Sequence, residues 1–105
     1  VPMMAVGAKG VISVWANVAP RAVADMTAAC LKGDFAAAAK MQADAYDLIK
    51  ALFIETNPMP VKEALNMMGM CVGECRPPLC ELMPENSAKL RRTLEIYGLL
   101  KQDIL

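Results

Sequence analysis

The chain has 105 residues, 56% of them apolar, eleven Lys/Arg against eleven Asp/Glu, and no histidine. The zero net charge argues against nucleic acid or an anionic membrane surface as the main partner, and so apolar a chain can offset its ordering entropy by burial, which excludes disorder. Without histidine, the usual proton carrier near neutral pH and the histidine-based zinc sites are both missing.

The order of elements begins with a short apolar stub, Val1 to Val6, ending at Gly7 as a helix C-cap. It opens Val1-Pro2-Met3-Met4, without methionine at position 1, which suggests a piece of a larger protein. The first twenty residues are apolar, but Gly7, Lys9, Gly10, Asn17 and Pro20 argue against a membrane span. No basic segment of a signal peptide precedes them. They are read as the buried start of a soluble chain. Gly10-Val11-Ile12-Ser13-Val14-Trp15 is β-branched and nearly all apolar, as a strand buried on both faces is. A single strand leaves its own N–H and C=O groups unpaired, so its partners lie elsewhere.

Pro20 suits the first position of a helix in which Val23, Met26, Thr27, Cys30 and Leu31 recur at helical spacing. Gly33 closes that helix, and Asp34 caps the next. The second helix is expected from about Asp34 to Glu55. Phe35, Ala38, Ala39, Gln42, Tyr46, Ile49, Leu52 and Phe53 would form its inward face. Thr56-Asn57-Pro58-Met59-Pro60 stops it, since proline disfavours helix at the preceding residue. Pro60 starts a third helix with Val61, Ala64, Leu65 and Met68 on one face and Gly69 at its end. Met70 to Met83 reads as a loop. Pro84 opens a last helix with Leu90, Leu94 and Tyr97 inward, Arg91 and Arg92 solvated, and Gly98 as its stop; Leu99 to Leu105 is a tail.

The cysteines, Cys30, Cys71, Cys75 and Cys80, include a C-x3-C-x4-C run. Metal sites use tighter pairs and a fourth ligand. The default reading is free, buried thiols in a reducing cytosol. From the residues alone, the chain is mainly α with one short buried strand, and a helical interaction module without catalysis fits it.

Three motifs add a resemblance. Gly7-Ala8-Lys9-Gly10-Val11-Ile12-Ser13-Val14 with Ala16-Asn17-Val18-Ala19-Pro20 resembles the last barrel strand of the dihydrodipicolinate synthase family. Ala51-Leu52-Phe53-Ile54-Glu55-Thr56-Asn57-Pro58-Met59-Pro60-Val61-Lys62 resembles its K-A-L-F-x-E-x-N-P-I-P-V-K segment. Cys75-Arg76-Pro77-Pro78-Leu79 is similar to its R-L-P-L loop, with Pro77 for leucine, and Gly98-Leu99-Leu100 to its usual ending. Trp15 stands where the family has a smaller residue, and Lys101 to Leu105 extends past that ending.

The resemblance implies a (β/α)8 barrel followed by a C-terminal helical domain, of which this chain is the end. Residues 1–33 would be the tail of helix 7, strand 8 and helix 8, and residues 34–105 the helical domain. It implies a lysine-biosynthesis lyase that condenses pyruvate with aspartate semialdehyde through a Schiff base, in a cytoplasmic homo-oligomer, dimer or tetramer. No cofactor, metal, nucleic acid or membrane is implied. The Schiff-base lysine and the proton-relaying tyrosine would lie upstream, so the chain by itself would be inactive. Lys62 matches a family position in the helical domain and is read as structural. Ile12 matches the isoleucine lining the pyruvate pocket, where strand ends of a barrel gather, although a barrel-core role fits it equally. Val6 and its neighbours match a region of subunit contact. An N-acetylneuraminate lyase or a keto-sugar-acid aldolase on the same fold remains the alternative substrate reading.

Overall fold

The computed structural model describes residues 1–100, and the part of the expected tail from 101 to 105 lies outside them. The described residues form six helices: α1 (Pro2–Ala5), α2 (Trp15–Val18), α3 (Pro20–Leu31), α4 (Phe35–Ala51), α5 (Met59–Met67) and α6 (Pro84–Tyr97). Among them there is no strand.

Local chemistry sets the boundaries. Pro20, Pro60 and Pro84 all sit at the first or second position of their helices, where a missing N–H costs nothing. The junction of α3 and α4 is built from two residues. Gly33 takes a left-handed φ of 83°. Its N–H reaches Cys30 O at 3.0 Å, and the Asp34 N–H reaches Ala29 O at 2.8 Å, which satisfies carbonyls the last turn leaves free. The Asp34 side chain then accepts from Ala37 N at 3.2 Å and caps α4. Gly98 ends α6 by the same arrangement, at φ 96°.

The helices close a circuit around one core. α3 packs on α4, α4 on α6, α6 on α5, α5 on α2, and α2 back on α3. Leu48, Leu52, Leu90, Leu94 and Pro60 are fully buried at its centre. Ala38 and Ala45 of α4 have no exposure at all, and small side chains there let neighbouring helices approach closely. The molecule is a slab of 41 × 37 × 21 Å, whose thin dimension fits about two helix diameters of 10–12 Å. Its radius of gyration, 14.9 Å, exceeds the roughly 13 Å usual for a compact domain of this length.

Four expectations need correction. The Gly10–Trp15 strand is not formed. Residues 8–13 adopt neither helix nor strand, because the described residues hold no second extended segment to pair with them. Trp15 instead opens α2 and is buried in the core, its indole Nε1 finding no acceptor among the described residues. The start of the chain is not buried either: Met3 and Val6 are exposed.

The helix expected from Asp34 to Glu55 ends at Ala51; Ala38 and, beyond its end, Leu52 are buried as expected, but Ala45, Leu48 and Ala51 complete the buried face. Tyr46 and Phe53 point to solvent. Among the cysteines, all free, only Cys30 is buried; Cys71 and Cys80 are exposed and Cys75 is half-buried. On α3, Val23, Met26 and Cys30 are buried as expected, while Leu31 is exposed. On α6, Leu90 and Leu94 are buried, Tyr97 is half-buried, and Arg91 and Arg92 are exposed.

Candidate functional site

The segment from Gly7 to Val14 holds the one substrate-contacting residue expected from sequence, Ile12. Gly7 turns the chain out of α1, its N–H bonded to Met4 O at 3.1 Å and the Ala8 N–H to Met3 O at 3.0 Å. From Lys9 to Ser13 no backbone N–H finds a backbone acceptor among the described residues. The chain next becomes regular at Ser13 and Val14, whose carbonyls accept from Ala16 N at 3.2 Å and Asn17 N at 3.1 Å as α2 begins.

Ile12 is 106% exposed, so its side chain meets nothing among the described residues, and Val11 beside it is more than half exposed. No acid, base or nucleophile of the described residues converges on it. The segment carries exposed Val11 and Ile12 and backbone N–H groups without backbone partners among the described residues.

The motif that runs from Ala51 to Lys62 does different work. Glu55 follows the end of α4, and its carboxylate accepts from Met83 N at 2.8 Å and from Asn86 Nδ2 at 2.9 Å. α6 has no side-chain cap of its own. Glu55 therefore supplies from a distant part of the chain the acid that a capping box normally takes from the third helical residue. On α5, Lys62 Nζ donates to Glu74 O at 2.6 Å. Asn66 Oδ1 accepts from Val72 N at 2.8 Å and Gly73 N at 3.3 Å, while its Nδ2 donates to Gly73 O at 2.9 Å.

α5 thus pins the loop from Met70 to Met83 with two polar side chains. Sequence reasoning gave Glu55 and Asn66 no role. The Glu-x-Asn-Pro signature was visible for the first, but nothing local marks the second.

Three grooves among the described residues lie away from Ile12, one of them against Val1, Pro2 and α4. Another, of about 820 Å³, runs between α4 and α6, with Asp44 and Asp47 on one wall and Lys89 and Arg92 on the other. The third, of about 460 Å³, lies between α5 and the loop. No group of three or more Cys, Asp or Glu among the described residues could hold a metal ion. No helix among them is long and apolar enough to cross a membrane.

Residues 1–97 match the model of the dihydrodipicolinate synthetase family. The chain belongs to that family. The 4-hydroxy-tetrahydrodipicolinate synthase of Aquifex aeolicus is 56% identical over 98 residues, covering 93% of this chain and 33% of that protein. The crystal structure of the Aquifex aeolicus dihydrodipicolinate synthase superposes with a TM-score of 0.92 at 56% identity, covering 96% of this chain and 35% of the other. The chloride-inhibited enzyme from Acinetobacter baumannii, solved in complex with pyruvate, gives a TM-score of 0.90 at 36% identity over 94% of this chain and 34% of its own.

The chain spans about a third of the length of these dihydrodipicolinate synthetase relatives. The helical circuit described above is shared with these solved structures.

Proposed function

We propose that this chain forms the C-terminal part of a dihydrodipicolinate synthase. In this reading the enzyme is a Schiff-base lyase of lysine biosynthesis that condenses pyruvate with aspartate semialdehyde. The observation that carries it is the match of nearly the whole chain, at 56% identity and a TM-score of 0.92, to a third of a synthase. The open segment from Lys9 to Val14 supports the same reading, since it has the unpaired groups that a strand of a closed (β/α)8 barrel would satisfy. Residues 1–33 would complete the barrel and residues 34–105 would form the helical domain beside it.

The chemistry follows from that placement. A lysine outside this chain attacks the pyruvate ketone and water leaves, giving an imine, which needs an amine unprotonated near neutral pH. A tyrosine, also outside it, relays the proton. Ile12, on the eighth strand, supplies an apolar wall to the pyruvate pocket. The exposed Val6 region meets another subunit of a homo-oligomer. Free thiols fit a reducing cytoplasm.

The test is treatment with pyruvate and borohydride followed by peptide mass mapping. Proteolysis of the labelled enzyme should leave every peptide from residues 1–105 unmodified, with the adduct on a lysine outside them. An adduct on a lysine within residues 1–105 would overturn the placement of the lysine.

A further inference from the structure

The loop from Met70 to Met83 contains a pair of thiols that the proposed lyase chemistry does not use. Leu79 N–H bonds to Arg76 O at 3.0 Å, closing a four-residue turn over Pro77 and Pro78. Such a turn brings its ends within about 7 Å. Those ends are Arg76 and Leu79, and Cys75 and Cys80 are the next residues outward on either side. A disulfide needs Cα atoms about 4.4–6.8 Å apart, which this pair reaches if the two limbs continue side by side from the turn.

Both limbs are held. The incoming one is fixed by Lys62 on Glu74 O and by Asn66 on Val72 and Gly73. The returning one is fixed by Leu82, buried in the core, and by Met83 N on Glu55. Cys75 and Cys80 line the same groove against α5. Both are free, and Cys80 is exposed. Cys71 is poorly placed to compete: its Sγ is turned toward Gly69 O at 3.8 Å, and it does not line that groove. Cys30 is buried in α3.

We propose that Cys75 and Cys80 are a redox-sensitive pair that peroxide converts to a disulfide strap across the turn. The exposed Cys80 thiolate attacks the O–O bond of hydrogen peroxide, giving a sulfenic acid and hydroxide. The Cys75 thiolate then displaces that hydroxyl and the S–S bond forms. Two S–H protons end up in two waters, and the two electrons lost by the sulfurs reduce the peroxide. A thiol reductant reverses the step. The strap fixes the turn that presents Arg76 and closes one wall of the groove over α5.

The protein, in the assembly in which it purifies, is treated with dilute hydrogen peroxide, denatured in an alkylating agent and cut with a glutamate-specific protease. Cleavage after Glu74 and Glu81 isolates residues 75–81, which carry Cys75 and Cys80 and no other cysteine. The expected product is that peptide, unalkylated and lighter by two hydrogens, forming faster from native than from urea-unfolded protein. Cys71→Ser should leave the product intact and Cys80→Ser should abolish it. A doubly alkylated peptide, a sulfinic acid on Cys80 with Cys75 alkylated, a link to Cys71, or equal rates in folded and unfolded protein would each overturn the pairing.

Discussion

Replacing Glu55 tests whether one carboxylate joins the end of α4 to the start of α6. Glu55→Ala removes the acceptor of Met83 N at 2.8 Å and of Asn86 Nδ2 at 2.9 Å. Hydrogen bonds to a charged group contribute about 1.5–3 kcal/mol each when fully formed, and a lost helix cap costs about 1 kcal/mol. The two bonds share one oxygen and Glu55 is half-buried, so they do not add in full. The expected loss is about 2 kcal/mol. Glu55→Gln keeps one acceptor oxygen but not the charge, and should lose about 1 kcal/mol.

The assay is urea unfolding of the purified assembly, followed by far-UV circular dichroism. With a slope of about 1.5 kcal/mol per molar for a small protein, Glu55→Ala should lower the midpoint by about 1.3 M with the slope unchanged. Asn86→Ala in the same background should add much less than its own single effect, because its partner is gone. A Glu55→Ala midpoint within about 0.3 M of the parent would refute the cap, since that corresponds to roughly 0.5 kcal/mol at this slope.

Three further outcomes follow from the same structure. Leu94→Ala, at a fully buried position touching the centre of the core, should cost about 2–5 kcal/mol in the same urea experiment. Asp34→Ala removes the cap of α4 and should cost about 1 kcal/mol, while Asp34→Asn should cost almost nothing. Asn66→Ala frees Val72 and Gly73, so hydrogen exchange at their amides should speed up sharply while amides of α4 keep their protection.

The parts legible in the sequence are those set by local chemistry. The stops at Gly33, Gly69 and Gly98, the cap at Asp34 and the starts at Pro20, Pro60 and Pro84 all require only nearby backbone groups, and all are found. The phase of α4 was harder. Its alanines are apolar on every side, so the large residues Phe35, Tyr46 and Phe53 set the expected face. The structure buries Ala38 and Leu52 as expected but adds Ala45 and Leu48 in place of Tyr46 and Phe53, because α3 and α6 both press on this helix and leave room only for small or branched side chains. Tyr46 and Phe53, too bulky for that contact, turn outward. Glu55 and Asn66 were not legible because their partners lie across the fold.

Ile12 separates the two kinds of information most clearly. Its neighbours Val11 and Val14 favour a strand, and a pattern of this kind is read correctly only if a sheet is there to receive it. Among the described residues no sheet does, and the segment stays open. If it is a barrel strand in the longer enzyme, Ile12→Ser should leave the urea midpoint of this chain unchanged, since the side chain touches nothing here. In the assembled enzyme the same substitution should raise the KM for pyruvate several-fold with a smaller change in kcat, as loss of an apolar wall of about 1–2 kcal/mol does. A midpoint that falls in the chain alone would show that Ile12 packs against residues 1–105. An unchanged KM in the assembled enzyme would remove it from the pocket and leave it as barrel core.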